Sequence, residues 1–122
     1  MKPAFLRNIQ PGATKYSNKK EEIDGIIFDS KKEAKVYVEL RDMLSRSEIK
    51  KFDRQVNFEL IPTQRDGQNK IIERPCQYKA DFVVYHNDGE ITAIDAKGMR
   101  DGKYPIKRKL MLWLKGIRIH EV

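Results

Sequence analysis

The chain predicts an α/β domain, a central mixed β-sheet flanked by helices, and three observations lead there. Two strand-like runs surround a tight turn between Tyr78 and Gly98. Apolar residues recur at helical spacing from Lys31 to Ser45 and again after Pro105. Between and around these stretches lie short alternating segments, so strands and helices interleave along the chain.

At 122 residues the chain is expected to form one domain with a core of its own. Its 39% hydrophobic and 35% charged residues suit a globular protein with a wet surface. No apolar run reaches the length of a membrane span, and the start Met-Lys-Pro-Ala-Phe-Leu-Arg lacks a signal-peptide core, so no membrane association and a cytoplasmic location are expected. The single cysteine, Cys76, excludes an internal disulfide and a multi-cysteine zinc site. The net charge is +7, and the first twenty residues carry Lys2, Arg7, Lys15, Lys19 and Lys20 with no acid. Such a surplus favours polyanions, nucleic acid above all, although a solvated basic terminus has the same composition.

Residues 1–20, with Pro3, Pro11 and Gly12 and no periodicity, read as a basic N-terminal arm ahead of a domain over 21–122. Asp24-Gly25 between Ile23 and Ile26-Ile27 signals a small hairpin. Ser30-Lys-Lys-Glu33 is a capping box, and it opens a helix over 31–45 whose stripe is Glu33, Tyr37, Leu40 and Leu44. Glu33 therefore has two readings: it holds the Ser30 amide, or it points toward the sheet the helix covers. Glu48 to Ile61 alternates as a strand, with a bend near Asp53 and with Gln55 facing opposite to Val56. Arg65-Asp66-Gly67-Gln68 is a turn, and Lys70 to Arg74 forms a short strand before Pro75. Pro105 suits the first position of a second helix with an apolar stripe of Ile106, Leu110, Trp113 and Leu114, with Lys107, Arg108 and Lys115 off its centre. Gly116 ends it, and 117–122 resembles a last strand.

The chemistry concentrates between Tyr78 and Gly98. Asn87-Asp88-Gly89 suits a three-residue loop closed by His86 and Glu90, and counting back from that pair sets Asp81 opposite Asp95. A two-residue loop would set Asp81 against Ile94 instead. Like charges facing across a strand pair, with Cβ atoms about 5 Å apart, are unfavourable unless something compensates them. A hard divalent cation with oxygen ligands does so economically. Lys97 falls on the face of Asp95 by the period-2 rule. The plainer reading is a solvated strand-end aspartate and an edge lysine.

Glu33 in the first helix, Asp81 at a central strand and Asp95-Ala96-Lys97 in the next resemble the PD-(D/E)XK nuclease superfamily. The contexts Phe28-Asp-Ser-Lys-Lys-Glu-Ala-Lys35 and Lys79-Ala-Asp-Phe82 are similar to its small phage-encoded members, the Holliday-junction resolvases of archaeal and phage type. The resemblance spans residues 15–122; it departs at Ala80, where the superfamily name records proline, and at Asp95, where many members carry glutamate. It implies a restriction-endonuclease-like fold and a Mg²⁺-dependent endonuclease, with Mn²⁺ able to substitute. Asp81, Asp95 and the Ala96 carbonyl would hold one ion, Glu33 would serve a second ion directly or through water, and Lys97 would steady the attack. Ser30 and Gln55 are secondary candidates beside that site. Symmetric nicking of a four-way junction implies a homodimer. Lys15, Lys19, Lys20, Lys31, Arg100, Lys103 and Lys107 are the expected DNA contacts. The alternatives are another structure-specific or end-processing nuclease of the same fold, and a non-catalytic DNA-binding protein of phage replication or packaging.

Overall fold

A Gly-containing turn opens the described part of the chain. Asp24 and Gly25 both take positive φ, 55° and 79°, which a two-residue turn matched to strand twist requires, and they join β1 (Glu21–Ile23) to β2 (Ile26–Phe28). The computed structural model describes residues 20–96 and 102–122. After β2 come α1 (Lys31–Ser45), β3 (Lys51–Ile61), β4 (Gln64–Arg65), β5 (Ile71–Glu73), β6 (Cys76–Tyr85), β7 (Ile91–Asp95), α2 (Tyr104–Leu110) and β8 (Arg118–Glu121). A wide π-helical turn, Met111–Lys115, continues α2. The arm over 1–20 lies almost wholly outside the described residues.

The capping expectation at α1 is met: Ser30 Oγ accepts the Glu33 amide at 3.1 Å. Its far end closes without glycine. Ser47 takes φ 58°, its amide reaches Leu44 O, and the Glu48 amide reaches Met43 O, a Schellman turn that delays β3 to Lys51 instead of Glu48. The buried stripe of α1 is Glu33, Val36, Leu40 and Met43. Leu44, expected on that stripe, is 41% exposed, and Tyr37 sits at the margin, because the buried stripe is centred between Val36 and Leu40 and not on Glu33 itself.

Four strands form the mixed sheet in the order β3-β6-β7-β8, the first two pairings antiparallel and β7–β8 parallel. The parallel step needs the crossover that α2 supplies. One face packs Phe82, Val84 and Ile94 against Val36, Leu40 and Met43 of α1. The other packs Val83, Ala93 and Ile119 against Tyr104 and Met111 from the second helical segment. The sheet thus lies between helices, an α/β arrangement.

An irregularity crosses two strands at one level. In β3, Phe52 belongs with the α1 face and Val56 and Phe58 with the α2 face; in β6, Tyr78 and Ala80 belong with the α2 face and Phe82 with the α1 face. The pairing does not slip, since Arg54↔Phe82 and Val56↔Ala80 keep the same register. The exchange coincides with Gln55, whose φ of 52° is left-handed and breaks the two-residue alternation. The bend anticipated near Asp53 therefore falls at Gln55.

The second helical segment reverses its expected orientation. Tyr104 and Met111 are buried, whereas Ile106 is 63% and Trp113 79% exposed, with Leu114 also turned outward. Of the expected stripe only Leu110 packs, partly, against the core. Tyr104 explains the choice: its ring meets Tyr78 at 6.3 Å between centroids and its hydroxyl donates to Glu121 at 2.8 Å, which fixes the helix with that side inward.

Candidate functional site

The β6–β7 hairpin has the three-residue loop that its sequence implies. The His86 amide donates to Glu90 O at 2.8 Å, Gly89 takes φ 91°, and the pairs run Tyr85↔Ile91 to Phe82↔Ile94. One step further in that register, Asp81 stands opposite Asp95. Both are buried, Asp95 to 1% exposure.

Each carboxylate is held by donors from a different direction. Asp81 Oδ2 accepts the Ala96 amide at 2.7 Å, so the residue following Asp95 is tied across the hairpin. Asp95 Oδ2 accepts the Tyr78 hydroxyl at 3.1 Å, and its backbone carbonyl accepts the Val122 amide from beyond β8. Burial pushes the Tyr78 hydroxyl far above its ordinary range, with the Asp95 charge acting in the same direction, so it stays protonated and donates.

Glu33 reaches this pair from α1. Its Oε1 accepts Gln55 Nε2 at 2.9 Å, and the same nitrogen lies 3.4 Å from Asp81 Oδ1. The cap amide is satisfied by Ser30 while the Glu33 carboxylate faces the sheet, so of the two readings of this glutamate the sheet-facing one describes its side chain. Burial and then the Asp81 charge push the Glu33 carboxyl above its usual range; the Gln55 hydrogen bond and Arg54 act against this.

Arg54 was not a candidate in the sequence, yet its Nη2 lies 3.6 Å from Glu33 Oε1 and its guanidinium stacks over Phe28 at 4.6 Å. Arg54 shares the α1 face with Phe52, two residues earlier, as alternation requires. Tyr78 was missed as well, although a tyrosine in an apolar run needs a hydroxyl partner, and Asp95 is an acid within the same hairpin.

The structure brings together Glu33, Gln55 and Asp81, and sets Asp95 opposite Asp81 with Ala96 beside it. Ser30 serves as the cap of α1. Lys97 and Arg100 lie outside the described residues, as do Lys15 and Lys19. Lys20, Lys31 and Lys103 are exposed and Lys107 is half-buried.

Among the described residues no three His, Cys, Asp or Glu side chains converge on one point as ligands. Glu33 is separated from Asp81 by the Gln55 amide, so it does not join the two aspartates as a third direct ligand. The remaining donors, two buried carboxylates and the Ala96 carbonyl, are all hard oxygens. They fit an ion such as Mg²⁺, which takes one or two carboxylates and keeps several waters.

Fold and site together define an α/β protein with a buried aspartate pair at the centre of a mixed sheet. The chain belongs to the family described as Protein of unknown function (DUF1064), whose profile matches residues 13–119. Among curated proteins and among solved structures nothing matches it. No helix among the described residues is long and apolar enough to cross a membrane.

Proposed function

We propose that this protein is a metal-dependent DNA endonuclease of the PD-(D/E)XK type with a restriction-endonuclease-like fold, a Holliday-junction resolvase that nicks four-way junctions as a homodimer. The observation that carries the reading is the buried pair Asp81 and Asp95, opposite each other across β6 and β7, with Glu33 joined to Asp81 through Gln55. Two buried acids set face to face across a strand pair repel each other, and a bound cation would offset that cost.

Asp81, Asp95 and the Ala96 carbonyl would hold one Mg²⁺ or Mn²⁺. When bound, such an ion supplies a water of lowered pKa and positive charge beside the phosphoryl group. The chain's own side chains do the rest. Tyr78 orients Asp95, the Ala96 amide orients Asp81, and the Gln55 amide fixes Glu33 beside Asp81. Lys97, next after Ala96 in sequence, orients the attacking water and offsets charge on the phosphate oxygens. The basic arm with Lys20, Lys31, Arg100, Lys103 and Lys107 supplies phosphate contacts, which suit recognition of junction shape without base reading.

The test is incubation of end-labelled four-way, flap, duplex and single-stranded DNA with Mg²⁺, for wild type and Lys97→Ala. Symmetric nicks in the four-way substrate alone, lost in the variant, are expected. Equal cutting of plain duplex sinks the resolvase reading, and no cutting of any substrate sinks the nuclease.

A further inference from the structure

The acid-free stretch from Gly102 to His120 holds Lys103, Lys107, Arg108, Lys109, Lys115 and Arg118. Arg108 is partly committed, 3.7 Å from Glu121 and stacked near Tyr104. Lys109, Lys115 and Arg118 are exposed and carry no ion pair among the described residues. On the helical segment that carries Lys109 and Lys115, Trp113 and Ile106 are 79% and 63% exposed, and Leu112 and Leu114 are exposed with them. The buried anchors Tyr104 and Met111 precede Ile106 and Trp113 by two residues each, about half a helical turn. The apolar group therefore faces away from the core.

A tryptophan 79% exposed, on a helical segment that carries lysines and no acid of its own, is complementary to a polyanion with flat apolar faces. Self-association through this surface would bring the same lysines of two copies together, and nothing acidic on the segment would offset them. We infer that the outer face of the second helical segment is a nucleic-acid surface on which Trp113 stacks against an unpaired or unstacked base, while Lys109 and Lys115 hold the flanking phosphates. Fully paired duplex keeps its bases stacked and offers Trp113 nothing to insert against. The surface thus selects open positions, such as the branch point of a junction or a single strand. This rests on the DNA-processing reading above for its polymer, and not for its metal chemistry. It also ties to the site, since Tyr104, at the start of α2, packs on Tyr78, the residue that holds Asp95.

Trp113 is the chain's one tryptophan, so its emission reports on this surface alone. Titrations of the full chain in EDTA, with a synthetic four-way junction, a single-stranded oligonucleotide and a paired duplex, are followed by tryptophan fluorescence and by anisotropy of the labelled DNA. Strong quenching by the first two and little by duplex is expected. Trp113→Ala should bind the junction about tenfold more weakly with an unchanged circular dichroism spectrum, and Trp113→Phe should recover most of the loss. DNA binding seen by anisotropy without quenching, equal affinity of Trp113→Ala, or a blue shift with anionic phosphatidylserine vesicles and no response to DNA would each overturn it. Quenching without cleavage in Mg²⁺ leaves this surface standing and removes only the nuclease assignment.

Discussion

Gln55 and Asp81 lie across from each other between the Arg54↔Phe82 and Val56↔Ala80 pairs, and the Gln55 amide that approaches Asp81 at 3.4 Å is bound more closely to Glu33. The left-handed backbone at Gln55 costs about 1–2 kcal/mol relative to an extended residue. Its side chain is largely exposed, so burial does not recover that cost. Gln55→Gly should hold or raise the melting temperature while reducing cleavage by at least tenfold, because it removes the strain and the carboxylate bridge together. A lowered melting temperature with full cleavage would mean that the bridge has no part in the reaction.

Stability should follow the ionisation of Glu33. Its folded carboxyl titrates above the ordinary value because of burial and Asp81. The folded state therefore binds more protons than the unfolded one in the window between the ordinary glutamate pKa and the raised one. Stability from this group is fully present below that window and is lost as pH rises through it. In EDTA, Glu33→Gln should melt higher than wild type at pH 7.5, and the advantage should vanish near pH 4. Parallel pH profiles for the two proteins would count against the coupling.

Asp95 is the second lever. Asp95→Asn removes one of two opposed buried charges, so in EDTA it should melt no lower than wild type. Wild type should gain several degrees on addition of Mg²⁺ or Mn²⁺ at a hundredfold excess over its dissociation constant, about 2.7 kcal/mol of linkage, and the variant should gain nothing. Calorimetry then reads the same loss as heat. Absence of binding in both proteins favours the non-catalytic DNA-binding module.

Tyr78→Phe tests the positioning of that carboxylate. Removing the hydroxyl deprives Asp95 Oδ2 of a donor in a site that is 1% exposed, a change of about 1–3 kcal/mol in unfolding free energy by urea titration. Saturating Mg²⁺ should recover part of the loss if the ion takes up the freed oxygen. An unperturbed urea midpoint would show that another donor already satisfies Asp95.

Much of this was legible from the chain because it rests on local rules. The capping box placed α1, and a three-residue loop at Asn87-Asp88-Gly89 fixed the register that opposes Asp81 and Asp95. Where periodicity was asked to choose a face, it erred. Leu44 and Trp113 are apolar and correctly spaced, but the inward side of each helix was decided by distant partners, Phe82, Val84 and Ile94 of the sheet for α1 and Tyr78 against Tyr104 for α2. Arg54 follows Phe52 onto the α1 face by plain alternation, but its partners Glu33 and Phe28 lie on elements distant in sequence, and no local rule pairs them.

The exchange of faces at Gln55 gives Asp81 a neighbourhood that no single strand encodes. On β6 the residue before it serves the core under α2 and the residue after it serves the core under α1. Asp81 therefore sits at the seam between two independently packed halves. Repacking either core leaves it in place, whereas one residue gained or lost in β3 or β6 alone would turn it into one of them. Anyone moving this acidic pair to another scaffold would have to transplant three adjacent strands with their register, because the hairpin by itself does not carry the seam.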